Sequence, residues 1–174
     1  MKRRTMVAAG AAAAAAGLAA GWWRYSLKPV MSTAEATFWA SRFVSPDGAA
    51  MPMEQYQGKP MLLNFWATWC PPCVEELPMI DVFFREQAER GRPWHVLGLA
   101  VDKASAVRTF LARQPVTFDV AVAGFAGSEL GKQLGNDTGS LPFSVVFNAD
   151  GQIVERKLGK LDEQDLQQWA AAVR

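Results

Sequence analysis

The chain has 174 residues, half of them hydrophobic, enough for one folded core and the wrong balance for disorder. Its formal net charge of +1 hides an asymmetry: Lys2, Arg3, Arg4, Arg24 and Lys28 precede the first acid, Glu35, and beyond them 13 basic residues face 17 acidic ones, near −4. No basic patch is left to imply nucleic acid as a partner.

Lys2-Arg3-Arg4 is a charged start, and Val7 to Trp23 is an uncharged, alanine-rich stretch. As a helix it would reach roughly 25 Å, marginal for a bilayer. Trp22, Trp23 and Tyr25 sit where an interfacial aromatic belt would. Residues 1–25 therefore read as a signal anchor that holds the domain in the periplasm at the inner membrane. A cleaved signal peptide, releasing a soluble periplasmic domain, is the rival, because small residues throughout permit an Ala-x-Ala site. Arg3-Arg4 lacks the fuller twin-arginine consensus, and with no cysteine near the segment's end, lipid attachment there is excluded.

Residues 26–35 read as a linker and 36–174 as one domain. Phe38 to Val44 and Met51-Pro52-Met53 flank the turn signal Ser45-Pro46-Asp47-Gly48, which predicts two short strands. Met61 to Ala67 is a continuous apolar run, as in a buried central strand. From Pro72 to about Arg90, Leu77, Ile80, Phe83 and Phe84 recur at helical spacing, and Gly91 ends the segment. Trp94 to Val101 predicts a second buried strand, with the sole histidine, His95, at its start. Lys103 to Gln114 is amphipathic through Val107, Phe110 and Leu111, and stops before Pro115. A strand near Phe118 to Val122 and a helix over Ser128 to Leu134 follow. Ser144 to Phe147 and Ile153 to Leu158 form a hairpin about Asp150-Gly151. Asp162 caps a last helix to about Val173, with Leu166, Trp169 and Val173 inward. Strands alternating with helices before a final hairpin predict an α/β fold, a mixed sheet with helices on both faces. Asp102 ends the second buried strand. It reads either as the cap of the next helix or as one of the functional groups that α/β sheets place there.

The two cysteines, Cys70 and Cys73, are the only ones and stand three apart within Trp69-Cys70-Pro71-Pro72-Cys73. A disulfide between them would close almost no loop, so it would stabilise little, and a redox role is favoured. The thiolate is the reactive form, and a helix N-terminus favours it through unpaired N–H groups and the positive dipole end. Cys70 is thus the expected nucleophile and Cys73 the resolving thiol. Pro71 suits the first helical turn, and Pro72 completes the spacer. Trp69 abuts the nucleophile and offers an apolar docking surface, whereas Trp66 reads as core. A zinc site would need two further ligands that one histidine cannot supply, and Val74 stands where haem attachment needs histidine. No metal and no cofactor beyond the redox-active disulfide are expected.

Gly58-Lys59-Pro60, Leu63-Asn64-Phe65-Trp66-Ala67-Thr68-Trp69-Cys70-Pro71-Pro72-Cys73, Glu76-Leu77-Pro78, Leu141-Pro142-Phe143, Asn148-Ala149-Asp150-Gly151 and Gly159-Lys160-Leu161 together resemble the TlpA/ResA-like family of exported thioredoxin-fold thiol-disulfide oxidoreductases. The resemblance spans about residues 36 to 174. It implies a three-layer α/β/α thioredoxin-like fold with an N-terminal β extension and a strand-helix insertion, about residues 102 to 135, before the cis-proline. Pro142 is then the cis-proline facing the disulfide, with Leu141 presenting backbone to substrate; a trans, strand-entry proline is the plain alternative. Pro78 becomes the proline that kinks the active-site helix. Glu76 becomes the acidic residue that moves protons for the buried thiol, since Asn64 replaces the buried aspartate of thioredoxins. Its plain alternative is a solvated carboxylate complementing the helix dipole.

The expected function is a periplasm-facing thiol-disulfide oxidoreductase that reduces protein disulfides. Its implied partners are oxidised proteins, by analogy apocytochromes c or copper-site assembly factors, and a membrane thiol electron donor. Three alternatives stay open. One is a disulfide-donating oxidase. Another is a copper metallochaperone using Cys70 and Cys73, although copper-delivering relatives space their cysteines by three residues. The third, a thiol peroxidase, lacks the Pro-x-x-x-[Thr/Ser]-x-x-Cys pattern before Cys70.

Overall fold

The computed structural model describes residues 17–19, 21–22 and 31–173. Two compact units divide the chain between Met31 and Ser32. In the first, residues 17–19 and 21–22 are helical, and no helix among the described residues is long and apolar enough to cross a membrane. Most of the expected signal segment lies outside the described residues.

The second unit is built on a seven-stranded mixed sheet. Its strands are β1 (Arg42–Val44), β2 (Ala50–Pro52), β3 (Met61–Trp66), β4 (His95–Ala100), β5 (Asp119–Val122), β6 (Phe143–Phe147) and β7 (Ile153–Leu158), arranged β2-β1-β5-β4-β3-β6-β7. β3 runs parallel to β4 and β4 to β5, while β1, β6 and β7 join antiparallel. Every residue of β3 is buried, because helices cover both faces of the sheet. On one side Leu62 and Trp66 of β3 pack with α2 (Pro71–Glu89), α3 (Ala104–Leu111) and α5 (Glu163–Ala172). On the other, Met61, Leu63 and Phe65 pack with α1 (Thr33–Trp39) and with Leu130 of α4 (Ala126–Gln133). The alternation along β3 thus serves two cores, a three-layer arrangement.

The main departure from the sequence reading lies at the N-terminal edge of this unit. Helix α1 begins at Thr33, inside the stretch read as a linker, and takes Phe38 and Trp39 out of the expected first strand. A capping box starts it: Ser32 Oγ accepts from the Glu35 N–H, and the Glu35 carboxylate accepts from the Ser32 N–H at 2.6 Å. Tertiary packing then holds it, with Phe38 stacked on Phe147 at 4.9 Å and the Trp39 indole donating to the Gly151 carbonyl at 2.7 Å. The Met53–Tyr56 stretch after β2 is a 3-10 turn. One glycine sits at a close approach: a Cβ on Gly98 of β4 would lie 3.1 Å from the Trp66 indole nitrogen and from the Phe118 ring, so each ring would have to shift by a few tenths of an ångström.

Candidate active site

Cys70 is the N-cap of α2, in extended backbone conformation, with Pro71 starting the helix where no N–H is needed. Cys70 and Cys73 are joined by a disulfide, Cα atoms 5.3 Å apart. Cys73 is wholly buried and Cys70 5% exposed, whereas the preceding Trp69 is 62% exposed. Pro71 and Pro72 are exposed too. The pair thus lies just beneath a rim of apolar rings, its first cysteine at the positive end of a 19-residue helix. Helix α2 continues through Pro78, which has no N–H to give the Val74 carbonyl.

The loop from β3 to Cys70 is tied down from the next strand. The Val101 N–H donates to the Trp66 carbonyl at 2.8 Å. Asp102 Oδ2 accepts from both the N–H and the hydroxyl of Thr68, at 3.0 and 2.6 Å, and its Oδ1 from the Lys103 N–H at 2.7 Å. This corrects the capping reading of Asp102: the N-cap of α3 is Lys103, without a side-chain cap. Asp102 instead anchors the loop that carries Trp69 and Cys70. Its place at the C-terminal end of a central strand was the only sign of this in the sequence.

The Leu141–Pro142 peptide bond is cis. Phe143 opposite Phe65 is the last pair of the β3–β6 register, so Pro142 and Leu141 come level with Trp66 and Ala67, at the end of the sheet that carries the cysteines. Pro142 is buried and Leu141 half-buried.

Glu76 follows Cys73 by three positions, so the two side chains neighbour each other one turn apart on α2, and neither has any exposed surface. The solvated reading of Glu76 is therefore corrected. Its Oε1 accepts from Asn64 Nδ2 and its Oε2 from the Leu161 N–H, each at 2.7 Å. Asn64 Nδ2 also donates to Ser144 Oγ at 3.0 Å, while Asn64 Oδ1 is buried without a partner. Burial pushes the Glu76 carboxyl up to about 7, against the opposing pull of its two hydrogen bonds and of Lys160 and Lys157. A carboxyl so poised can hold or release a proton near neutrality, one turn from a buried thiol. Asn64 and Ser144 were not singled out as its partners by the sequence reading.

His95 stands away from this chemistry. It opens β4 opposite Met61, at the far end of strands roughly 17 Å long, and meets Tyr56 edge-on at 5.3 Å. Burial lowers its imidazole pKa, with the Lys59 charge adding to the effect. Among the described residues no group of three or more His, Cys, Asp or Glu could hold a metal ion.

Comparison with known proteins agrees with this geometry. The Redoxin family model matches residues 33–172. The thiol-disulfide oxidoreductase ResA of Bacillus cereus is 30% identical over 132 residues, covering 74% of this chain and 72% of its own. The fold superposes on MTB dsbF, in a structure of its mixed oxidised and reduced forms, with a TM-score of 0.67 at 22% identity over 82% of this chain and 98% of that one. A thioredoxin-related protein of Neisseria meningitidis serogroup B gives 0.65 at 26% identity, over 74% and 96%.

Proposed function

The chain belongs to the Redoxin family and is a thiol-disulfide oxidoreductase, and from that premise we propose that it works as a reductase of protein disulfides in the periplasm. In the reduced protein the Cys70 thiolate attacks one sulfur of a substrate disulfide. A mixed disulfide forms, and the other substrate sulfur leaves as a thiolate that takes a proton from solvent. Cys73 then gives its proton to the Glu76 carboxylate and attacks Cys70 Sγ. The second substrate sulfur departs as a thiolate that takes a proton from solvent, Glu76 returns its proton to solvent, and two electrons have passed from Cys70 and Cys73 to the substrate. A thiol donor at the membrane restores the dithiol by the reverse exchange.

The observation that carries the direction is the carboxyl beside Cys73. A strong disulfide donor owes its potential to a stabilised reduced form. A buried carboxyl one turn from the buried cysteine gives a thiolate there no such help. Trp69, Pro71, Pro72 and the backbone of Leu141 before Pro142 form the docking rim in this reading, and apocytochromes c or copper-site assembly factors are the substrates by analogy. The basic, alanine-rich first 25 residues support export with retention at the inner membrane.

Equilibration of the full chain in glutathione or dithiothreitol buffers tests the direction. A potential near about −270 mV or below fits a reductase, and one near about −120 mV would make it a donor of disulfides instead. Cys73→Ser is expected to hold substrates on Cys70 as mixed disulfides, and their capture would identify them.

A further inference from the structure

We propose that Asn64 is a positioning residue whose carboxamide turns over when Glu76 gains or loses its proton, donating to the carboxylate in one state and accepting from the carboxylic acid in the other. The inference deepens the proton-handling role given to Glu76 above.

Its basis is the donor and acceptor inventory of a sealed site. Asn64, Glu76 and Ser144 all have no exposed surface. As a carboxylate, Glu76 is matched by two donors, the Leu161 N–H on Oε2 and Asn64 Nδ2 on Oε1. As an acid it must donate, and neither of those groups can accept: a backbone N–H and an amide NH2 have no lone pair to offer. Left in place, they would strand a buried O–H, a costly outcome. The unpartnered Asn64 Oδ1 is the acceptor that this acid lacks, on the other arm of the same amide. Turning the amide by half a revolution brings Oδ1 to Glu76 Oε1 and to Ser144 Oγ. A carbonyl oxygen has two lone pairs and serves both.

Ser144 is what lets this happen without a second orphan. In the observed arrangement its oxygen accepts from Nδ2 at 3.0 Å. After the turn its hydroxyl donates to Oδ1, a reversal that a rotating O–H makes freely. Each arrangement leaves one arm of the amide unpaired, and the Glu76 proton decides between them. The Leu161 N–H holds Oε2 in both states, which confines the proton to Oε1. No titratable side chain faces this triad from β3 or β6. Those around it are Cys73 and Glu75 on α2, Lys157 on β7 with its partner Asp165 on α5, and Lys160 just before Leu161.

The test is a side-chain NMR titration of the full-length oxidised protein from acid to alkaline pH, following Glu76 Cδ and the Asn64 amide together. The expected result is one shared midpoint, with an Asn64 Hδ2–Ser144 Hβ contact at high pH that disappears at low pH. Glu76→Gln keeps an oxygen for Leu161 and places an NH2 against Asn64, so it is expected to hold the low-pH arrangement at every pH. An Asn64 amide that keeps the Ser144 contact at both extremes, or an Asn64 signal that does not follow Glu76, overturns the proposal. The titration needs no variant and no exchange assay. A failed amide turn therefore leaves the role of Glu76 in exchange standing, and a failure of that role shows separately in activity.

Discussion

Two of the buried carboxylates in this domain, Glu35 and Glu76, are treated oppositely by the molecule. Glu35, 7% exposed, sits in the first turn of α1, and Glu76, fully buried, sits one turn past Cys73 in α2. Each accepts a backbone N–H from a segment far along the chain, Ile153 for Glu35 and Leu161 for Glu76. For both, burial is the largest influence and raises the pKa. At Glu35 it is outweighed by donors from Ile153 and Ser32 and by the Arg156 charge, and the carboxyl ends below its ordinary value. At Glu76 burial wins, and the carboxyl rises to about 7. The difference separates a structural ion from the carboxyl proposed above to move protons for Cys73. Glu35 is a charged cap that joins α1 to β7, whereas Glu76 is left able to take a proton beside a thiol.

Replacing each carboxyl with its amide is the direct way to sharpen that contrast. Glu76→Gln is expected to slow reduction of a protein disulfide by about 100-fold, within the range for a lost general acid–base. Glu35→Gln should leave that rate unchanged. Equal losses in the two variants would break the distinction.

Stability against pH separates them next. A carboxyl raised from 4.5 to about 7 favours the fold while protonated; its contribution is complete below pH 4.5 and is lost as pH rises through about 7. The full span is worth roughly 3 kcal/mol, so urea unfolding of the native protein should show stability falling across that window, with the fall absent in Glu76→Gln. For Glu35 the sign is opposite. Its contribution is present above the ordinary carboxyl value and is lost as pH falls through the lowered one. Glu35→Gln should accordingly cost about 1–2 kcal/mol at neutral pH, the scale of a lost capping interaction, and little in strong acid. The smallest expected effect is at Lys160, which pulls Glu76 down while pairing with exposed Glu75 at 2.7 Å. Lys160→Ala should raise the Glu76 midpoint by a few tenths of a unit, read by carboxyl NMR, as befits a solvent-screened charge.

The same pair of residues shows what was legible in the sequence. The cysteines, their place at the start of a helix and the strand-helix alternation follow from local spacing, and the α/β fold and oxidoreductase class rest on them. The position of Glu76 one turn past Cys73 was equally readable. Its burial was not, because its partner Asn64 lies 12 residues away, Ser144 80 residues from Asn64, and Leu161 85 residues from Glu76. Glu35 was missed for a different reason. Ser32 and Glu35 carry the spacing of a capping box, but the apolar run from Phe38 predicts a strand, and the contacts of Phe38 and Trp39 with Phe147 settle it as a helix. Asp102 likewise reads as a cap until the Thr68 loop is seen to close onto it.

The most direct measurement is a stopped-flow reaction of the reduced protein with 5,5′-dithiobis(2-nitrobenzoate). Attack by Cys70 releases the first thionitrobenzoate, and attack by Cys73 on the resulting mixed disulfide releases the second, so the two thiols are read separately. In the native protein the second phase should follow pH with an inflection near 7. In Glu76→Gln it should lose that inflection and slow by about 100-fold, with the first phase unchanged. A second phase with the same rate and pH profile in both proteins would contradict the assignment of Glu76 as the proton acceptor for Cys73.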